Sequence, residues 1–540
     1  MSGLSRMRWS FVLGFALHVG CGPTVQDPRP EADASLATAR VEVEGLVRRG
    51  SYQCLVRAYE IGQRIHRREP ERTDLRDSLA RTALLLALRE RQLAILGDRY
   101  LVAAKELLAS CGECPLLHVL AEIAEATPLW SAGVISDDGA RTMAERYRRA
   151  RDRIPRWEAT LGESLPQEPS AAVFDLALLQ AYPRMLAGPE TPTSVSDAPS
   201  PSALILFSAA LAQPGKAALA EKALELEPTF VEAQLVIGKE AMNERAPAVA
   251  EAHYREAFVA FPDSVTSALG FADALFSVLA LRQSLDLYDH VITLAPEHRE
   301  AHLRKGIVLS QLGRNDEAIV TLTRLLDLGY WFLGETHYWL AWNNRQMKEH
   351  AEAVLHIEES KGSLPDDPRV HALAGLLALD EEKIDLAERS FLEVLELAER
   401  SPGRYDGDDS LCESLASLGQ IDFLRKDWEP GTRHFEQASA CNAAAQGIVD
   451  AQIETIRGWG LPERREAVLI RQKARLREEA VFREAACLYN AAAAARNSGN
   501  REEAAKLAGQ AGTHVELTCN YRRDRRHQVD AAGGQYQAGE

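Results

Sequence analysis

Cysteines and clustered aromatic residues are the side chains of this chain best suited to chemistry. Cys111 and Cys114 stand three residues apart, a spacing at which one thiolate can attack a disulfide, or both can grip a metal ion or close a short loop. No strand precedes them and no alternating strand-helix pattern surrounds them, so a local structural disulfide is expected ahead of redox exchange or half of a metal site. Cys412 with Cys441, and Cys487 with Cys519, each flank one helix pair and are candidates to staple it. The sequence alone does not set the connectivity.

The densest aromatic cluster runs from Tyr330 to Asn344 and includes Trp331, Phe332, Tyr338, Trp339 and Trp342. Such side chains, with Arg345, make good anchors for a partner because they bury large area at low entropy cost. The acid pairs Asp366-Asp367, Asp408-Asp409 and Glu381-Glu382 adjoin turn residues, where carboxylates cap helices or face water. There is no Gly-rich loop before Lys-Ser/Thr, no His-Glu-x-x-His and no Gly-x-Ser-x-Gly. The chain is therefore expected to run no reaction and to carry no cofactor or metal centre.

The elements that hold these residues repeat. Pro228, Pro262 and Pro296 fall at intervals of 34 residues, and the break at Gly329-Tyr330 keeps the step. Ala223, Ala257, Val291 and Leu325 form a second column, and Tyr254, Tyr288 and Leu322 a third. Within the repeat starting at Arg299, Gly306, Leu309, Gly313, Ala318, Leu322 and Leu325 occupy positions 8, 11, 15, 20, 24 and 27. Steps of three and four give each helix one apolar stripe, small residues let paired helices approach, and proline ends the second helix. This pattern resembles the tetratricopeptide repeat (TPR) family over about 300 residues. The resemblance implies an all-α fold, a right-handed superhelical solenoid of antiparallel helix pairs with a concave groove. Its inward positions 2, 5, 9 and 12 would place Leu235, Lys239, Leu269, Asp273, Leu303, Ile307, Glu335, Tyr338, Trp342 and Arg345 along that groove. Leu235 and Lys239 stand where the carboxylate-clamping variety has Lys and Asn, so an apolar helix or extended peptide suits the lining better.

Composition agrees with this reading: 46% of residues are hydrophobic, only 6% are aromatic, and helix formers dominate. A formal charge of -17 argues against a nucleic-acid partner, and the basic cluster Arg522 to His527 reads as a solvated tail. At the other end, Arg6 and Arg8 precede an apolar run from Trp9 to Val19 that is signal-peptide length and too short to span a bilayer. The run ends in Val19-Gly20-Cys21-Gly22, which resembles the lipobox of bacterial lipoproteins, with His18 where that motif has leucine. The resemblance implies a lipid on Cys21. The expected organisation is a signal peptide at 1–20, a tether at 21–40, an N-terminal helical region at 41–187 and a Pro/Ser-rich linker at 188–203. TPR repeats at 204–440, a helical region with a degenerate repeat at 441–520 and a tail at 521–540 follow. Together these features imply a non-catalytic scaffold of the bacterial cell envelope. It would be lipid-anchored, exposed to the periplasm, more readily at the outer membrane than the inner, and would bind a protein or peptide in its groove. The alternative is a ligand-binding accessory lipoprotein of a transporter or envelope-modifying system.

Overall fold

Close helix crossings at small residues set the architecture of the computed structural model, which describes residues 36–111, 114–126, 217–329, 332–401, 403–405 and 407–514. The signal segment, Cys21, the 188–203 linker, Cys519, the basic tail, Tyr330 and Trp331 lie outside the described residues. Every described element is a helix, and none is long and apolar enough to cross a membrane.

The chain divides into two compact units, residues 1–274 with 289–298 and residues 275–288 with 299–540. In the first, α1 (Leu36–Arg49), α2 (Tyr52–Arg68), α3 (Thr73–Leu93), α4 (Arg99–Leu108) and α5 (Pro115–Ala126) precede α6 (Ala217–Leu226), α7 (Ala233–Asn243) and α8 (Pro247–Ala260). Helices α9 (Val265–Ser277) and α10 (Leu281–Leu294) contribute to both units. The second continues with α11 (Arg299–Gln311), α12 (Asn315–Asp327), α13 (Leu333–Gln346), α14 (His350–Ser363), α15 (Pro368–Asp380) and α16 (Ile384–Arg400). It ends with α17 (Asp409–Arg425), α18 (Trp428–Arg457), α19 (Glu463–Asn497) and α20 (501–514).

The expected close approach within a pair is present. A Cβ placed on Gly306 of α11 would lie 2.5 Å from Leu322 of α12, and one on Gly375 of α15 would lie 2.5 Å from Phe391 of α16. Both partners stand sixteen residues on, where the repeat has its large apolar position. Leu322 and Phe391 are fully buried, so a methyl group at either glycine would force the helices apart. Two of the three acid pairs supply caps: Asp367 accepts from Arg369 N at 2.9 Å and Asp408 from Ser410 N at 2.9 Å, while Glu381-Glu382 lie in the turn after α15.

One local expectation is corrected: helix α1 begins at Leu36, inside the stretch read as tether. The two long helices α18 and α19 are broken at Gly458–Pro462, where Gly460 takes φ 66° and Pro462 precedes α19. In the first unit α3 departs from the two-faced pattern, because every residue from Thr82 to Ala94 is buried. Its neighbours α2, α4 and α5 pack on it, and in its polar end Arg89 Nη2 donates to Glu232 Oε1 at 2.7 Å inside the unit.

Candidate partner-binding surface

The residues expected along one groove fall into two groups with different surroundings. Lys239 of α7 is exposed and Leu269 of α9 is half-buried, both in the first unit, while Leu235 beside them is closed into the core. In the second unit Leu303 and Ile307 expose only 5% each and pack with Leu322, Leu325 and Leu340. They do not line an open surface. The reason is that α12 and α13 both pack on α11, covering the stripe that carries these two positions.

Further along the second unit, α13 presents a different chemistry. Tyr338 joins the core of Ile357, Val370 and Leu373, and Trp342 packs half-buried against the same cluster. The Arg369 guanidinium, set at the start of α15, lies 5.0 Å over the Tyr338 ring. It also binds Glu335 at 2.8 Å and Asp367 at 2.7 Å. Hydrogen bonding to Asp367, with Glu335 adding to it, raises the Arg369 pKa and fixes its charge. Burial pushes the Tyr338 hydroxyl up to about 12, so it stays protonated. Trp339 Nε1 donates to Glu335 at 2.9 Å, which holds that carboxylate in place. One turn on, Arg345 pairs with Asp380 of α15 at 2.6 Å and remains partly exposed.

A recess of about 460 Å³ opens beside Arg369 and is also lined by Leu364, Pro365, Arg404, Tyr405 and Asp408. Arg404 stacks over Tyr405 at 5.3 Å. Two arginines and a tyrosine around one depression, with Trp342 and Arg345 on the adjoining helix, give a surface able to hold carboxylates, aromatic rings and main-chain carbonyls.

Arg369, Asp380, Arg404 and Tyr405 were not singled out from the sequence. A signal existed for the first two: Glu335 and Arg369 are separated by 34 residues, and Arg345 and Asp380 by 35. Corresponding turns of successive first helices stack, so a charge one period away is a neighbour. Arg404 and Tyr405 lie between α16 and α17, outside the 34-residue step, and had no such signal.

Among the cysteines, Cys412 of α17 is joined to Cys441 of α18, and Cys111 is joined to Cys114. Cys487 is a buried free thiol in the cluster that contains Cys412 and Cys441, whereas its expected partner Cys519 lies outside the described residues. Burial pushes the Cys487 thiol up to about 11 and keeps it protonated. In the first unit a second recess, about 600 Å³, is lined by Tyr59, Gln63, His66, Arg67, Arg76 and Ser110 among others.

This packing, with a small residue facing a large one sixteen places on and first helices stacked one period apart, is that of a tetratricopeptide-type fold. No protein-family model matches the chain, and no curated protein matches it. Among solved structures, a tetratricopeptide repeat protein from Parabacteroides merdae is 15% identical and aligns over 50% of this chain and 93% of its own, with a TM-score of 0.35. PilF from Pseudomonas aeruginosa is 19% identical over 37% of this chain and 88% of its own, with a TM-score of 0.32. A chain of the APC/C hetero-tetramer Cut9–Hcn1 is 14% identical over 89% of this chain and 97% of its own, with a TM-score of 0.37. The class assignment rests on the packing described above and not on these superpositions.

Proposed function

We propose that the chain is a non-catalytic scaffold of the bacterial cell envelope that holds a protein or peptide partner on the second unit, beside the recess formed by Arg369, Arg404 and Tyr405. The supporting observation is the concentration there of Arg369, Arg345 and Arg404, each kept in position by a named carboxylate or ring, with Trp342 half-buried on α13. Export and attachment through a lipid on Cys21 belong to the same reading and rest on the N-terminal sequence. A pull-down from detergent-solubilised envelope, using the intact protein beside Trp342→Ala and Arg369→Ala forms, tests it. A protein retained by the intact form and lost from both variants supports the surface; equal recovery by all three sinks it.

A second reading, an accessory that binds a small ligand, draws on the first-unit recess with His66, Arg67 and Arg76 in its wall. Glu71 and Glu106 stand in the same wall and balance the two arginines, so the lining is polar with no net charge preference. Recovery of a small polar molecule, unaffected by Trp342→Ala, would move the assignment to this reading.

A further inference from the structure

Asp77 of α3 faces two sulfur atoms. Its Oδ1 lies 4.0 Å from Cys111 Sγ and its Oδ2 lies 3.8 Å from Cys114 Sγ. One ligand atom from each of the three side chains falls within 4.8 Å of the other two, and all three residues are half-buried. The sulfurs are joined here, and a disulfide has no proton to give a carboxylate. An anion held against both sulfurs has a use only when they are thiols or when a cation lies between them.

The surroundings favour the cation. Arg76 donates to Asp77 Oδ1 through Nε at 3.0 Å and Nη2 at 2.9 Å, and to Ser110 O at 2.9 Å. Its side chain is 14% exposed, and its guanidinium ties the carboxylate to the turn that carries Cys111. Two thiolates and one carboxylate carry three negative charges, which a divalent ion and this guanidinium cancel. A metal-bound carboxylate supported by a second-shell hydrogen bond keeps its orientation. In a tetrahedral zinc site two sulfurs stand about 3.8 Å apart and sulfur and oxygen about 3.6 Å apart, from the usual bond lengths. The observed 4.0 Å and 3.8 Å are to the two different carboxylate oxygens, and a single oxygen lies within 4.8 Å of both sulfurs, so a rotation of the carboxylate and the opening of the sulfur pair would complete that geometry.

We propose that reduced Cys111 and Cys114, together with Asp77, form a site for a borderline divalent metal of the zinc class, with its fourth position open to water or a partner's group. A dithiol reductant supplies two electrons, the sulfur–sulfur bond breaks, and two protons complete the thiols. Metal entry then releases those two protons and forms two metal–sulfur bonds. Thiolate ligands and a single hard oxygen suit zinc or cobalt better than magnesium or calcium, which take oxygen donors throughout. The pair is thus a redox-gated metal site: closed as a disulfide, open as a dithiol.

The test uses the full chain, reduced anaerobically, freed of reductant and titrated with Co²⁺ and then Zn²⁺. The expected result is a thiolate-to-cobalt charge-transfer band that saturates with one equivalent and is displaced by Zn²⁺. Peptide mass spectrometry should show alkylation of Cys111 and Cys114 slowed at least about tenfold by Zn²⁺, with Cys487 unchanged. Asp77→Asn should weaken Co²⁺ binding by about tenfold or more, Asp77→Glu should retain most of it, and Cys111→Ser with Cys114→Ser should abolish the band. Absence of the band with equal alkylation rates overturns the site, and full affinity in Asp77→Asn removes Asp77 from it. Should Asp77→Asn fail to fold, the alkylation rates of the unmutated chain decide.

Discussion

Arg89 in the first unit and Arg369 in the second each meet carboxylates, yet water treats them differently. Arg89 and Glu232 are both 0% exposed and 2.7 Å apart, with Phe230 5.0 Å from the guanidinium and Tyr52 N on the same carboxylate oxygen at 2.6 Å. The Arg369 and Glu335 side chains are 39% and 25% exposed. A buried pair has lost its hydration and needs each partner, whereas a half-solvated one can exchange partners at little cost. The same chemistry therefore specifies packing around α3 and stays available for recognition on α13 and α15.

The largest expected effect tests the buried half of this contrast. Glu232→Ala leaves Arg89 buried without its main counter-charge and should lower stability by about 3–5 kcal/mol, read as a shift of the urea midpoint. A loss no greater than that of Arg369→Ala would break the comparison. A covalent tie gives the second unit its own scale. Cys412 and Cys441 enclose a sequence separation of 29 residues, and removing both thiols should cost about 3.6 kcal/mol by the chain-entropy relation. Removing the pair at 111 and 114, with a separation of 3, should cost only about 1.6 kcal/mol by the same relation. The two bridges therefore differ in purpose: the longer one ties α17 to α18, and the shorter one adds little and is free to open.

Arg369→Ala should reduce stability by about 1 kcal/mol or less, since exposed pairs contribute little. Its larger expected effect is on partner capture, lost together with that of Trp342→Ala in the same pull-down. A variant that unfolds instead would show the Glu335–Arg369–Asp367 cluster to be a packing device like that of Arg89.

The helix pairs were legible because their period is written in apolar and small residues, and Gly306 and Gly375 could be assigned from spacing alone. The surroundings of α3 were not, because Arg89-Glu90-Arg91-Gln92 reads as the solvated end of an amphipathic helix. Its burial depends on Glu232, 143 positions from Arg89, and on Phe230, which no local pattern links to it. The candidate surface was half legible. Trp342 and Arg345 came from the repeat register and stay partly exposed, but Tyr338, Leu303 and Ile307 carry the same register and are closed in. Register states which way a side chain points from its own helix; how far the next helix covers it is decided by packing. Asp77 escaped notice for a related reason, since it is a helix acid until α4 and α5 bring the cysteines to it.

Acid should separate the units by the sign of its effect, which is the smallest predicted here. Burial raises the pKa of Glu90, whose carboxylate accepts from Tyr52 Oη at 3.2 Å, while Arg99 opposes the rise. A carboxyl whose folded pKa lies above its unfolded value of about 4.3 holds its proton more tightly when folded. Its contribution is present below that value and is lost as pH rises through the folded pKa. In the second unit His337 and His356 have Nδ1 atoms 3.0 Å apart, and burial lowers both pKa values against the pull of Glu359. For these the unfolded chain binds protons first, so stability is complete above about pH 6.5 and falls as pH drops toward the folded pKa values. One imidazole donates and the other accepts, and a second proton would set two charges side by side. His356→Gln should therefore narrow the drop in urea midpoint between neutral pH and the acid side of about 6.5, while Glu90→Gln should leave that window unchanged and flatten the slope nearer the carboxyl range. If both variants flattened the same window, the titration would belong to the chain as a whole and the contrast between the buried and the half-solvated unit would not extend to protons.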